Sequence, residues 1–197
     1  PGARQGTSLY LVAQGGQSAA NKAAGNNPAI GLITVLGSKA PTTVTINEMT
    51  TIATVWTHNQ FINGTAIQAQ PLQLKIAAGN VPNFVDLATG SYGATIADGL
   101  NSTQTPTLAG FSTLANVLAG CVTKVLPGAC DQLFAAVTAP DGKVPADTLA
   151  AASVLLMGEG NQSQPLAIIT GAPVKFQNRI NKDELRIDIR DDVYQPI

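Results

Sequence analysis

The stretch Thr43–Phe61, "TVTINEMTTIATVWTHNQF", holds the only Trp and the only His of the chain. Thr45 and Glu48 stand in the T-x-x-E spacing of a capping box. In that motif the Thr hydroxyl accepts from the amide three residues on, and the Glu carboxylate returns to the Thr amide. Beyond the box, Met49, Ile52, Ala53, Trp56 and Ile62 recur at three- to four-residue spacing and make one apolar stripe. The stretch therefore reads as an amphipathic helix, and Glu48 has a structural task before any catalytic one. His58 falls on the edge of that stripe, where a partly exposed side chain is expected.

Working outward, "SLYLVAQGG" (Ser8–Gly16) alternates and is closed by Gly-Gly, which reads as a short strand. "QSAANKAAGNN" reads as a small-residue loop. In "NNPAIGLITVLG", Asn27 as cap, Pro28 at the first helical position and Gly37 past the end predict a short helix. Downstream, "PLQLKIAAGN" and "VPNFVDLATG" read as two short helices punctuated by Gly79, Pro82 and Gly90. Thr105 and Pro106 open a helix with Leu108, Phe111, Leu114, Ala115, Leu118 and Cys121 on one face. "CDQLFAAV" and "PADTLAAASVLLMG" complete the helical set, the latter capped by Asp147.

The character changes near Gln164. Of eleven basic and twelve acidic residues, ten fall between Lys175 and Asp192. "VKFQNRI" and "LRIDIR" alternate about "NKDE", a hairpin pattern with Val174, Phe176, Leu185, Ile187 and Ile189 on one face. A lone hairpin is marginal, so its partner is Leu9–Ala13, another chain or a neighbouring domain. The expected organisation is a lead-in and strand over 1–16, a helical domain over 17–163 and a β-hairpin tail over 164–197. The expected fold class is mainly α, a compact bundle of short helices with a small antiparallel β element.

Composition narrows the function. Charged residues are 12% of the chain, about half the usual share, so the polar surface falls to Asn, Gln, Ser and Thr. That suits an extracellular or self-associating protein. A net charge of -1 with no basic stripe argues against nucleic acid as a partner. No apolar run approaches the roughly eighteen residues of a membrane span. The chain opens at Pro1 with neither a basic nor an apolar leader segment, the expectation for a processed or absent signal peptide. Cys121 and Cys130 flank "VTKVLPGA", which lacks the C-x-x-C spacing. A local disulfide across the Pro-Gly turn is one reading and a pair of buried free thiols the other.

Three constellations bear on chemistry. Gly16-Gln17-Ser18-Ala19-Ala20 after a strand imitates a nucleophile elbow, but its one candidate base, His58, sits on a helix that nothing places near Ser18. A lone histidine cannot supply the three or four ligands of a zinc site. Asp188, Asp191 and Asp192, or Asp141 with Asp147, lack the spacing of a calcium loop. No cofactor is expected. Glycosylation sequons occur at Asn63, Asn101 and Asn161.

The blocks "LYLVAQGG", "NPAIGLITVLG", "VTINEMTTIATVW", "AAGNVPNFVDLATG", "FSTLANVLAGCV", "ACDQLF" and "PADTLAAA", over roughly Leu9–Ala152, resemble a helical domain of unknown function in exported bacterial proteins of acidobacterial type. In that family the domain often lies beside a carboxypeptidase-regulatory-like β-sandwich and an NHL-type propeller. The resemblance implies export, a Cys121–Cys130 disulfide and a surface role, with no catalytic residues. The tail from Gln164 departs from that pattern. The function expected is a non-enzymatic extracellular or cell-surface structural protein associating through its terminal strands, at Leu9, Leu11, Leu185, Ile187 and Ile189. A spacer or binding module of a secreted multidomain protein is the alternative, and a hydrolase using Ser18 and His58 a lesser one. Its small-molecule ligand, if any, is not legible.

Overall fold

The computed structural model describes residues 7–124, 126–139 and 141–157. The expected tail hairpin, with Leu185, Ile187 and Ile189, lies outside the described residues, as does the sequon at Asn161. Within them the fold is mainly α, with two small antiparallel sheets.

Strand β1 (Leu9–Gln14) forms as its alternation predicts. It pairs antiparallel with β2 (Gly31–Gly37), from Leu9 opposite Gly37 to Gln14 opposite Gly31. The stretch read as a helix at Asn27–Gly37 is thus mostly a strand, which corrects that reading and gives β1 a partner not expected from sequence, while the tail named as a partner for Leu9–Ala13 lies outside the described residues. Asn27 does cap, but it caps a turn: its Oδ1 accepts from the Ala29 amide at 3.2 Å, bridging Pro28. The run that follows, "GLITVL", is buried from Gly31 to Val35. A short apolar run buried on both faces shows no helical period, and its β-branched Ile33, Thr34 and Val35 fit a pleated strand. The preceding loop is also more ordered than expected, with 3-10 turns over Ala19–Ala24.

Helix α1 (Glu48–His58) starts two residues later than the T-x-x-E reading places it. Its cap is Asn47, whose Oδ1 accepts from the Thr50 amide at 2.9 Å, while Thr50 Oγ1 accepts from the Asn47 amide at 2.9 Å. This is the same reciprocal box in different residues. Thr45 instead docks the loop after the next long helix, donating its amide to Leu87 O and its hydroxyl to Ala88 O. Met49, Ile52 and Ala53 are buried as the stripe predicts, whereas Trp56 is 37% exposed. Ile62 belongs to a tight hairpin, β3 (Ile62–Asn63) with β4 (Ala66–Ile67), turning at Gly64 with φ of 60°.

The two helices expected around Pro82 are one, α2 (Pro71–Phe84). Pro82 sits in its last turn, where only one helical bond is forfeited before the helix ends. Short α3 (Ala94–Ala97) and α4 (Gly99–Gln104) lead to α5 (Thr107–Thr123), the longest helix among the described residues, buried continuously from Phe111 to Thr123. Thr105 Oγ1 accepts from the Thr107 amide at 3.4 Å at its start. Then come α6 (Ala129–Ala136) and α7 (Thr148–Met157), with Asp147 capping α7 by accepting from the Ala150 amide at 2.8 Å.

The main core gathers Ile33 and Val35 of β2, Met49, Ile52 and Val55 of α1, Val81 of α2, Phe111 and Leu118 of α5, and Leu149 of α7. Cys121 and Cys130 are joined in a disulfide that ties the end of α5 to the start of α6. Closing so short a loop contributes about 2–3 kcal/mol on a chain-entropy account.

Candidate functional site

The edges of the β1–β2 sheet are treated in opposite ways. On the β2 side, helix hydroxyls replace a third strand. Ile33 donates its amide to Thr51 Oγ1 at 3.1 Å, and Val35 donates to Thr54 Oγ1 at 3.2 Å. At Gly31, Thr148 Oγ1 accepts from the amide at 3.0 Å and donates to the carbonyl at 2.7 Å. These threonines are fully buried. A buried amide without a partner costs free energy comparable to a lost hydrogen bond, so the hydroxyls seal this edge.

Among the described residues the β1 side has no such cover. Residues opposite each other in an antiparallel pair alternate between exchanging both backbone bonds and turning them away. Ile33, Val35 and Gly31 turn theirs to the helices, so Val12, Tyr10 and Gln14, opposite them in the register, turn theirs to the outer edge. Among the described residues no strand or side chain pairs with that edge. Natural edges are usually blunted by Lys, Pro or a bulge in mid-strand. Leu9–Gln14 carries neither charge nor Pro, and its one register irregularity lies at the Leu9/Tyr10 end. Leu11, at the centre, is 45% exposed.

Of the residues weighed for chemistry, Ser18 caps the first 3-10 turn, its Oγ accepting from the Ala20 amide at 3.3 Å. His58 is fully buried, contrary to the partial exposure expected. Its Nδ1 lies 3.2 Å from Thr54 O and 2.7 Å from Thr57 Oγ1. A carbonyl only accepts, so Nδ1 carries the proton and Nε2 holds a lone pair with no partner. No hydrogen bond joins Ser18 to His58. Burial holds the His58 imidazolium pKa below its ordinary value, partly offset by the bond to Thr54. On its own this makes stability fall as pH drops below about 6.5.

Glu48, the first residue of α1, is buried, and desolvation raises its carboxyl pKa above 4.5 against a smaller opposing bond from its own backbone. The folded state therefore binds this proton more tightly than the unfolded chain. Its contribution is complete below about pH 4.5 and is lost as pH rises through the raised folded value. Glu48→Gln is expected to raise the melting temperature at pH 7, with the two proteins converging as pH is lowered towards 4.5. Equal melting curves at neutral pH would show that the carboxylate is not penalised there.

Of the acidic residues weighed for calcium, Asp188, Asp191 and Asp192 lie outside the described residues, and Asp141 and Asp147 serve a turn and a helix cap. Asp141 accepts from the Lys143 amide and Asp147 from that of Ala150. Among the described residues no group of three or more His, Cys, Asp or Glu is placed to hold a metal, and no helix is long and apolar enough to cross a membrane. Asn63 and Asn101 are exposed.

A cleft of about 450 Å³ opens where α5 ends, lined by Asn27, Lys124, Pro127, Cys130 and Phe134 among others. Two of its polar side chains are taken up by backbone carbonyls. Asn27 Nδ2 donates to Cys121 O and Val122 O, and Lys124 Nζ donates to Asn26 O. The edge-sealing threonines escaped the sequence reading, although Thr50, Thr51 and Thr54 on a helix with a buried face were a signal that hydroxyls were needed inside. No family model, curated protein or solved structure matches this chain.

Proposed function

We propose that the protein is a non-enzymatic structural protein of the extracellular space or cell surface, associating with further copies through its terminal strands. One is β1, at Leu9 and Leu11; the other, expected from the alternation around Leu185, Ile187 and Ile189, lies outside the described residues. The observation that carries this reading is the uncharged edge of β1, open among the described residues, beside a β2 edge whose Gly31, Ile33 and Val35 amides are taken by helix hydroxyls. Open strand edges are templates for pairing between chains. The disulfide fits an oxidising compartment, and a chain with so few charges puts little repulsion in the way of lateral packing. The resemblance to domains of exported proteins points the same way.

The test is the mass of the native particle by light scattering, with negative-stain imaging of the same sample. The full chain is expected to form species well above the 20.2 kDa monomer. Deleting Lys175–Ile197 is expected to abolish the large species while leaving the helical circular dichroism in place. A clean monomer at all concentrations would sink the assembly reading in favour of a spacer or binding module within a secreted multidomain protein.

A further inference from the structure

Resting on that assembly reading, we propose that the occupant of the β1 edge is β1 of a second copy, paired antiparallel about a two-fold axis through Leu11. The argument starts from the backbone. Tyr10 and Val12 both turn their N–H and C=O groups to the open edge. An axis at Leu11 sets Tyr10 against the partner's Val12, so each such pair exchanges two hydrogen bonds. Leu11 then faces the partner's Leu11 at a position without backbone bonds, where Cα atoms approach to about 4.5 Å and side chains meet most closely. The exposed apolar residue at the centre of the strand is thereby covered by its own copy. Leu9 stands against the partner's Ala13, and Gln14 against the partner's Ser8.

Neighbouring registers fit less well. An axis at Val12 sets Leu9 against the partner's Gly15, whose φ of 63° is outside the extended range. An axis at Tyr10 leaves Val12, Ala13 and Gln14 to pair beyond the start of the strand. Charge adds a second argument. Antiparallel pairing of a strand with itself sets a charge at or beside the axis close to its own copy, and such repulsion is one guard on an edge. β1 carries no charge to provide it. Packing adds a third. β1 is held chiefly by β2, and Tyr10 and Val12 are only half-buried against the main core. A partner strand extends that layer on its open side.

Seven residues a side is well short of the about 20–30 a side of a stable interface. The contact is therefore a weak, concentration-dependent dimer, which gains strength within an assembly held by other contacts as well.

The experiment uses the full chain. Cys121 and Cys130 are already bonded to each other, so Leu11→Cys introduces one free thiol at the proposed axis. The Cα spacing of about 4.5 Å there lies within disulfide range. Under mild oxidation Leu11→Cys is expected to give a covalent dimer several-fold faster than Leu72→Cys, a control on α2 at a position 68% exposed. Leu11→Lys sets two ammonium groups opposite each other and is expected to weaken self-association at least about tenfold at low salt, with an unchanged melting temperature. The chain lacking Lys175–Ile197 is expected to keep this weak dimer. Equal cross-linking of the two cysteine variants, or undiminished association of Leu11→Lys, overturns the pairing. If large species that depend on the tail persist in that case, the assembly reading stands with a different occupant. If the wild-type chain is monomeric throughout and neither cysteine cross-links, both fall together.

Discussion

Phe111→Ala is expected to destabilise the protein by about 3–5 kcal/mol, the usual cost of truncating a fully buried aromatic ring. Phe111 has no exposed surface. Its ring centroid lies 6.3 Å from Trp56 of α1, 5.7 Å from Phe84 of α2 and 6.4 Å from Tyr92, so it joins three parts of the chain. Truncation removes the dispersion attraction that holds α1, α2 and α5 together, and the surrounding side chains relax only partly into the space. For a body of this size about 1 kcal/mol corresponds to 2–4 °C, so the melting temperature falls by roughly 6–20 °C. Trp56 is the only Trp of the chain and stacks against Phe84 at 5.4 Å. Its emission is expected to move to longer wavelength in the folded variant as water reaches the ring. Leu72→Ala, at an exposed position, is expected to stay within about 0.5 kcal/mol of wild type. A Phe111→Ala protein melting within about 3 °C of wild type, a change worth roughly 1 kcal/mol, would mean that the aromatic cluster does not hold the core together.

Much of this core was legible from periodicity. Phe111, Leu114, Ala115, Leu118 and Cys121 fall on one predicted face and are buried. Where sequence reading failed, a local signal had more than one structural use. Asn27-Pro28 before an apolar run and Gly37 after it are helix punctuation, yet the same residues make a turn and close a strand. Asn27 is drawn into that turn partly by distant contacts, since its Nδ2 donates to Cys121 O and Val122 O across 94 and 95 residues. Thr45 and Glu48 have capping-box spacing, but Asn47 and Thr50 hold the same spacing two residues on, and the docking of Thr45 against Leu87 and Ala88 decided between them. Pro82 looked like a boundary because a proline usually is one. It is tolerated within α2 because so little helix follows it.

The candidate site was half visible. The strand, its lack of charge and the exposed apolar Leu11 can be read from "LYLVAQ". That its outer edge is open depends on which neighbour β2 already has, and that neighbour is a set of threonines scattered over α1 and α7. Close backbone approaches are hidden in the same way. A Cβ at Gly93 would overlap the Pro82 carbonyl oxygen and the Val85 amide, and nothing local to Gly93 announces that crossing.

The threonine seal leads to the second large effect. Thr51→Val and Thr54→Val keep shape and volume and exchange each hydroxyl for a methyl group. The amides of Ile33 and Val35 would then be left without partners at positions with essentially no solvent access. An unpaired buried donor costs about 1–3 kcal/mol, so the double variant is expected to lose roughly 2–6 kcal/mol, similar to Phe111→Ala. Serine separates the causes. Thr51→Ser and Thr54→Ser keep the hydroxyl and lose a methyl group, at about 0.8 kcal/mol each. If the hydroxyls seal the edge, serine is the more stable substitution at both sites, although valine is the more apolar side chain. If they are bystanders in an apolar interior, valine equals or exceeds serine. Hydrogen exchange locates the damage: in the valine pair the Ile33 and Val35 amides should lose protection before those deep in α5. The same logic explains why the two edges of one sheet differ. An edge packed beneath helices cannot recruit water, so α1 and α7 must supply its acceptors and donors. The β1 edge, uncovered among the described residues, can be satisfied by water instead.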